Sequence, residues 1–392
     1  MIDAFRRLYG SADSVRVFRA PGRVNLIGEH TDYNLGFVLP VALDLATFVA
    51  GAPSPDGKLR IHSEDRRESV EWPLSEVSAL SPRRHWSDYP IGVAQELIRA
   101  GFTLQPLNLL IHSTVPEGSG LSSSAALEVS TALCLLQGRP MGPLDLARLC
   151  QRAERSFVGM PCGIMDQYIS VFGREHAAVC IDCRSLESQV VPLPEGIEFV
   201  AVNTMVKHEL ASSAYRERTE QCAAAVQAIR RQYPAVESLR DVTPEMFEQA
   251  EASLPTVIAR RARHVVSEDA RVTQFMSACR QGDLVRMGEL FEASHRSLQH
   301  DYEVSCDELD FLVDAALGLE GVYGARMTGG GFGGCTVNMM RPDAVTHFRR
   351  QIAQAYHERF GIHPQMYDCR PSSGAEEEKN IESISPAARL GS

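Results

Sequence analysis

The stretch 116–126, Pro-Glu-Gly-Ser-Gly-Leu-Ser-Ser-Ser-Ala-Ala, constrains the chain more than any other, because two glycines and then three consecutive serines, 122–124, lead directly into an apolar helix. Ala126, Val129, Ala132, Leu133 and Leu136 recur three and four apart, the period of one helix face, and Gly138 reads as the stop. Residues 107–113 read as the strand that delivers the chain into this loop. Strand, glycine loop and helix in line make a cradle for an anion, since Gly118 and Gly120 allow close backbone approach and the free N–H groups of a helix start favour negative charge. Serines there either cap those N–H groups or turn their hydroxyls outward. The same string also reads as an ordinary loop with a serine N-cap, so the rest of the chain must decide.

A length of 392 residues predicts two domains or three, and Pro192, Pro194 and Gly196 mark a boundary between units 1–195 and 196–392. The net charge of -11 speaks against a nucleic-acid or membrane-surface partner, both of which want a basic field. A phosphate ligand then needs local help from backbone dipoles, a few arginines and a cation. No run reaches membrane-spanning length and the first residues carry no leader-like apolar core, which predicts a soluble cytoplasmic chain. Of ten scattered cysteines, Cys180 and Cys183 alone form a C-x-x-C, and without a second pair this is not a zinc pattern.

Along the chain, strand-like runs flank a polar turn at 21–33, and Asp56-Gly57 reads as a hairpin turn. Helices are expected over 88–100, 143–157, 212–232, most of 242–300, 307–319 and 342–360, with strands at 197–202, 335–340 and 363–369. From Pro371 the tail is polar and is expected to be loose. The second half is thus an α+β unit, helices interleaved with a small antiparallel sheet.

Three further stretches carry chemistry. Residues 328–334, Thr-Gly-Gly-Gly-Phe-Gly-Gly, satisfy G-x-G-x-x-G as a string, but they lead into a strand rather than a helix, which excludes a dinucleotide fingerprint. Such a loop presses its backbone on a phosphate or makes a tight turn in a packed corner. The G-x-x-x-x-G-K-[ST] string is missing, so a nucleotide bound by the 118–124 loop has no motif lysine, and Mg²⁺ must carry more of the charge. A serine hydroxyl at the helix start and a carboxylate such as Glu154 are candidate ligands. The turn 21–33 crowds Glu29, His30 and Asp32 together, which suits a ligand covered in hydroxyls, or else a solvated turn. Asp166 follows a turn built from Pro161 and Gly163 and is surrounded by Met160, Ile164, Met165 and Tyr168, a carboxylate held against apolar surface.

Taken together, 22–33, 118–126 and 327–335 closely resemble the GHMP small-molecule kinases, in the branch that phosphorylates galactose, with matching order and spacing from Phe18 to about Cys369. Ser119 stands where that family more often has Gly or Ala. The resemblance implies an α+β fold of two lobes, an N-terminal lobe with a left-handed βαβ crossover and a ferredoxin-like C-terminal lobe, with the active site in the cleft between them. It implies transfer of the ATP γ-phosphoryl group to the anomeric 1-hydroxyl of α-D-galactose, by a monomer or a weak dimer. Asp166 is then the catalytic base and Arg23 lies beside the reacting oxygen; a guanidinium next to a carboxylate favours the charged form that orients or accepts a hydroxyl proton. Sugar contacts fall on Glu29, His30, Asp32, Gly163 and Tyr215. Nucleotide contacts fall on Gly118, Ser119, Gly120, Leu121, Ser122, Ser123, Ser124 and Ala125, and Mg²⁺ on Ser124 and Glu154. A sister kinase acting on N-acetylgalactosamine or arabinose stays open, as does a sensor that binds sugar and ATP without turnover, although the serine-alanine run at which such sensors are disrupted is intact here.

Overall fold

The computed structural model describes residues 1–11, 14–207 and 211–379, leaving aside the side chains of 207 and 211–213. Its strands are β1 (Arg16–Asn25), β2 (Phe37–Val38), β3 (Pro40–Pro53), β4 (Lys58–Ser63), β5 (Glu68–Pro73), β6 (Leu107–Ser113), β7 (Ala177–Asp182), β8 (Ser188–Pro192), β9 (Glu198–Lys207), β10 (Val322–Thr328), β11 (Gly333–Met340), β12 (Gln365–Asp368) and β13 (Glu376–Glu377). Among the described residues they form sheets in the orders β13-β1-β3-β6-β4-β5, β10-β11-β9-β12 and β2-β7-β8. No helix among those residues is long and apolar enough to cross a membrane.

The first sheet departs from the expected hairpin at Asp56-Gly57. That pair does join β3 to β4, but β6 lies between them, antiparallel to β3 and parallel to β4. The reason is burial. Leu107, Leu109 and Ile111 of β6 pack in one core with Val93 and Leu97 of the Asp88–Arg99 helix and Val129 and Leu136 of the Ser123–Leu136 helix. The mostly exposed β5 is left at the edge, where an alternating strand costs least. The Ser123–Leu136 helix is buried nearly all round, as a central helix must be, and it stops at Gln137 and Gly138, both left-handed, with φ of 50° and 79°.

Two boundaries move. The polar turn expected from Pro21 starts later, because β1 continues to Asn25 through a break in register between Pro21 and Arg23. The helix expected over 143–157 is α-helical only at Pro143–Arg152 and then widens into a π-turn, Ala153–Val158, closed by left-handed Gly159.

In the second half β9, helices, β10, β11, the Val345–Phe360 helix and β12 follow in turn, and the antiparallel order β10-β11-β9-β12 is the ferredoxin-like arrangement. One face of this sheet packs Val200, Val202 and Met340 on Phe348, Ile352 and Tyr356. The other sends Phe199, Val337 and Met339 into a core that also takes Val24, Leu26 and Leu39 from the first half, so the two halves share buried surface. The tail from Pro371, expected to be loose, instead straps the first sheet as far as its description goes. Pro371 bridges Leu43, the Ala375 N–H donates to Ser170 O at 2.7 Å, and β13 pairs with β1 at Phe18 and Arg19. Its remainder, 380–392, lies outside the described residues.

The Leu284–Ser297 helix lies so close to β10 that a Cβ on Gly288 would sit 1.9 Å from Tyr323 O. Alanine ordinarily helps a helix by roughly 0.5–1 kcal/mol over glycine, but overpacking costs about 1–3 kcal/mol and wins here. Gly288→Ala is therefore expected to lower the thermal unfolding midpoint, measured by calorimetry.

Candidate active site

Arg23 organises the site. Its neighbour Gly22 is pressed on the glycine loop, where a Cβ would lie 2.6 Å from Leu121 O, and the Arg23 N–H donates to that same oxygen at 3.0 Å. The side chain then reaches Asp166, near the start of the Met165–Phe172 helix, with Nε and Nη2 each 2.8 Å from a carboxylate oxygen, while Nη1 donates to Gly120 O. This two-pronged geometry fixes the carboxylate in plane and direction. Ser122 Oγ donates to Asp166 as well. Of the two options open to the loop serines, turning outward is the one taken: the Ser123–Leu136 helix has no side-chain cap, Ser122 points at Asp166, and Ser124 bonds Glu154 on the π-turn.

The turn carrying Glu29, His30 and Asp32 is held from behind by residues far along the chain. Glu268 accepts the Gly28 N–H at 2.9 Å and Asp269 the Phe37 N–H at 2.7 Å, both from the Thr256–Gln281 helix. Glu29 Oε1 accepts from Thr328 Oγ1 and the Gly329 N–H at 3.1 and 3.2 Å, and its carboxylate pairs with fully buried Arg326. Glu268, Asp269 and Arg326 escaped the sequence reading, and Thr328 entered it only as the first residue of the 328–334 loop. A charged residue amid the apolar strand 322–328 was the signal that could have found Arg326. Gly163 serves Asp32 by being small, since a Cβ there would overlap Asp32 Oδ2 at 1.6 Å. Burial, and then the neighbouring Asp166, pushes the Asp32 carboxyl up to about 6. His30 is pushed down to about 3 by its burial, followed by His264 and Arg218, so near neutral pH it is an uncharged hydrogen-bonding group. Tyr215 packs edge-on to Tyr33 and tilted to His30, with ring centroids 5.2 and 5.6 Å apart.

These groups meet in one cavity of about 670 Å³, whose walls include Arg23, Glu29, His30, Asp32, Glu154, Gly163, Asp166, Tyr215 and Gly329 to Gly331. A second cavity of about 230 Å³ is lined by Trp86, Gly118, Ser123, Ser124 and Leu127, and Tyr89 lines both. The two glycine loops touch through backbone: a Cβ on Gly329 would be 3.4 Å from Gly120 O, and one on Gly334 3.1 Å from Ser119 O.

Glu154 has its carboxyl raised by burial and then by Asp166, and it takes hydrogen bonds from Ser124 and, at 2.6 Å, from Gln167 Nε2. A buried carboxylate and a hydroxyl beside it at a helix start are oxygen donors of the kind that suits a hard divalent cation such as Mg²⁺. Cys180 and Cys183 are buried free thiols on and next to β7; neither lines this cavity, although Cys183 lines an adjoining hollow with Asp32, Gly163 and Tyr215.

Residues 3–53 match the galactokinase galactose-binding signature, 88–174 the N-terminal domain of the GHMP kinases and 275–358 their C-terminal domain. The chain is 45% identical over 374 residues to the galactokinase of Roseiflexus sp. (strain RS-1), covering 95% of each. It is 46% identical over 362 residues to that of Homo sapiens, covering 90% of each. The crystal structure of Lactococcus lactis galactokinase complexed with galactose matches with a TM-score of 0.91 and 35% identity, over 96% of this chain and 98% of that one.

Asp32 is expected to titrate near pH 6 in the carboxyl ¹³C spectrum of the protein. Replacing its negative neighbour, Asp166→Asn, should move that midpoint downward, and an Asp32 midpoint near 4 in the unaltered protein would contradict the burial described here.

Proposed function

The chain belongs to the galactokinases of the GHMP kinase family, and from that premise we propose that it transfers the γ-phosphoryl group of ATP to the anomeric 1-hydroxyl of α-D-galactose, giving galactose 1-phosphate and ADP. The observation that carries the reading is Asp166, held on one wall of a hydroxyl-reading cavity by Arg23 and Ser122, with the glycine loop alongside. The sugar lies against Glu29, His30, Asp32, Gly163 and Tyr215, and the triphosphate runs along Gly118 to Ala125 with its far end toward Asp166. The second cavity beside Trp86 and Tyr89 takes the rest of the nucleotide.

In the reaction the 1-hydroxyl oxygen bonds to the γ-phosphorus as the bond to the bridging oxygen of ADP breaks, and Asp166 receives the hydroxyl proton. The transition state is loose, so orientation of the hydroxyl counts for more than base strength, and the donors of Arg23 and Ser122 supply that orientation. Arg23 also offsets charge that develops on the transferred group. Ser124 and Glu154 would hold Mg²⁺, which, when bound, neutralises phosphate charge. Specificity follows from buried polar groups that would stay unpaired against a sugar lacking the matching hydroxyl.

Asp166→Asn should lower kcat by about 10² or more while galactose affinity, read by calorimetry, changes only severalfold. An Asp166→Asn enzyme of ordinary kcat would sink the base assignment. Asp32 accepts sugar hydroxyls best when charged, so the KM for galactose should rise as pH falls through about 6 and stay flat above it, with the KM for ATP unaffected. ADP release measured across a panel of galactose, N-acetylgalactosamine, glucose, arabinose and mevalonate tests the substrate; activity confined to a sugar other than galactose would overturn it.

A further inference from the structure

A chain of hydrogen bonds runs backward from the sugar turn into the C-terminal half, and the reaction outlined above makes no use of it. His30 Nδ1 meets Tyr33 Oη at 2.9 Å, Tyr33 Oη meets Tyr302 Oη at 2.7 Å, and Tyr302 Oη meets Cys222 Sγ at 3.1 Å. Cys222, Tyr302 and His30 are all buried. His30 Nε2, the other ring nitrogen, has no hydrogen-bond partner although it is buried, and the residue lines the cavity. A neutral imidazole presents either a donor or an acceptor at that nitrogen, and what the opposite nitrogen bonds to decides which.

The far end of the chain suggests a direction. Asn34 Nδ2 donates to Cys222 Sγ at 3.6 Å, which leaves the thiol S–H available to Tyr302. Each contact can run either way; with Cys222 as the first donor, Tyr302 would donate to Tyr33 and Tyr33 to Nδ1. The ring proton then falls on Nε2, the buried nitrogen that no protein group partners.

Tyr302 is built into this position. It closes a π-turn, Leu298–Tyr302, a geometry frequent at functional sites, and Arg218 Nε donates to its carbonyl at 2.7 Å. Its ring lies between two imidazoles, with centroids 4.7 Å from His30 and 4.5 Å from His264. His264 in turn meets Glu29 O and Ser297 Oγ at 3.1 and 3.0 Å.

We propose that Tyr302, acting through Tyr33, is a positioning residue that fixes the tautomer and ring plane of His30, so that Nε2–H donates to one hydroxyl oxygen of the bound sugar. The proposal rests on the galactokinase reading for the identity of that sugar, and on the direction of this hydrogen-bond chain for the tautomer. Cys222 is the anchor of the chain, outside the contact surface.

The test compares unaltered enzyme, His30→Ala, Tyr302→Phe and Tyr33→Phe on galactose and its monodeoxy derivatives. His30→Ala identifies the hydroxyl: it is the one whose removal leaves a sugar with the same KM in both enzymes. Tyr302→Phe keeps the ring and removes one link, so the KM for galactose should rise about 3- to 10-fold with kcat within about twofold, the size of one lost hydrogen bond. The deoxy sugar singled out by His30→Ala should be indifferent to Tyr302→Phe as well. Tyr33→Phe should behave alike, and it decides the matter if Tyr302→Phe does not fold. In the ¹⁵N spectrum of the unaltered protein Nδ1 of His30 should be the bare nitrogen, with mixed tautomers in Tyr302→Phe. An equal rise in KM for every deoxy sugar, or a proton on Nδ1 in the unaltered protein, would overturn the proposal. Failure of unaltered enzyme to release ADP with galactose would instead overturn the substrate, and the ¹⁵N measurement would still read the tautomer.

Discussion

The paired hydrogen bonds between Arg23 and Asp166 are the constraint on which the rest of the site depends. Through them β1, the glycine loop and the Met165–Phe172 helix share one guanidinium, which also holds Gly120 O. The Arg23 side chain is only 7% exposed and that of Asp166 25%, so removing one partner strands the other where water cannot compensate. Such a pair adds little net stability over a well-packed apolar one. What it supplies is direction, because a planar fork accepts a carboxylate in one orientation.

A second tier of buried charge performs the same service for the sugar turn. Glu268 holds Gly28 from one side and Arg326 holds Glu29 from the other, and both belong to the second half of the chain. Burial, the largest influence on Glu268, opposes its charge, yet Arg271 and the other groups around it outweigh that and bring its carboxyl down to about 2. A turn pinned from one helix and one strand is held in place from outside, which is how a loop of polar residues keeps its geometry without a core of its own. The shared apolar cluster of Val24, Leu26, Phe199 and Val337 makes the two halves one support for this turn.

The cavity is rich in carboxylates, in a chain of net charge -11. The anionic ligand proposed for it would meet three local features: the buried Arg23 guanidinium, the uncapped helix start at Ser123, and the oxygen pair of Glu154 and Ser124. Local dipoles and one well-placed charge act over a few ångströms, where the net charge of the whole molecule matters little.

Much of this was legible in the residues themselves. The strand, glycine loop and helix of 107–138, the rejection of a dinucleotide fold at 328–334, and the clustering of Glu29, His30 and Asp32 all follow from local backbone freedom and short-range spacing, which a linear chain records directly. Other features were not legible, because they depend on which distant segments become neighbours. Asp56-Gly57 looked like a hairpin and is not one, since the more apolar β6 claims the interior place between β3 and β4. The tail after Pro371 looked loose, and a polar segment carries no periodic sign that Leu43 and Ser170 wait for it. The sequence by itself determined which residues were candidates for binding phosphate and hydroxyl groups. Only tertiary structure decided that Arg23 faces Asp166, that Gly163 makes room for Asp32, and that Tyr302 reaches His30 through Tyr33, because hydrogen bonds between side chains more than a hundred residues apart follow from packing and leave no periodic trace along the chain.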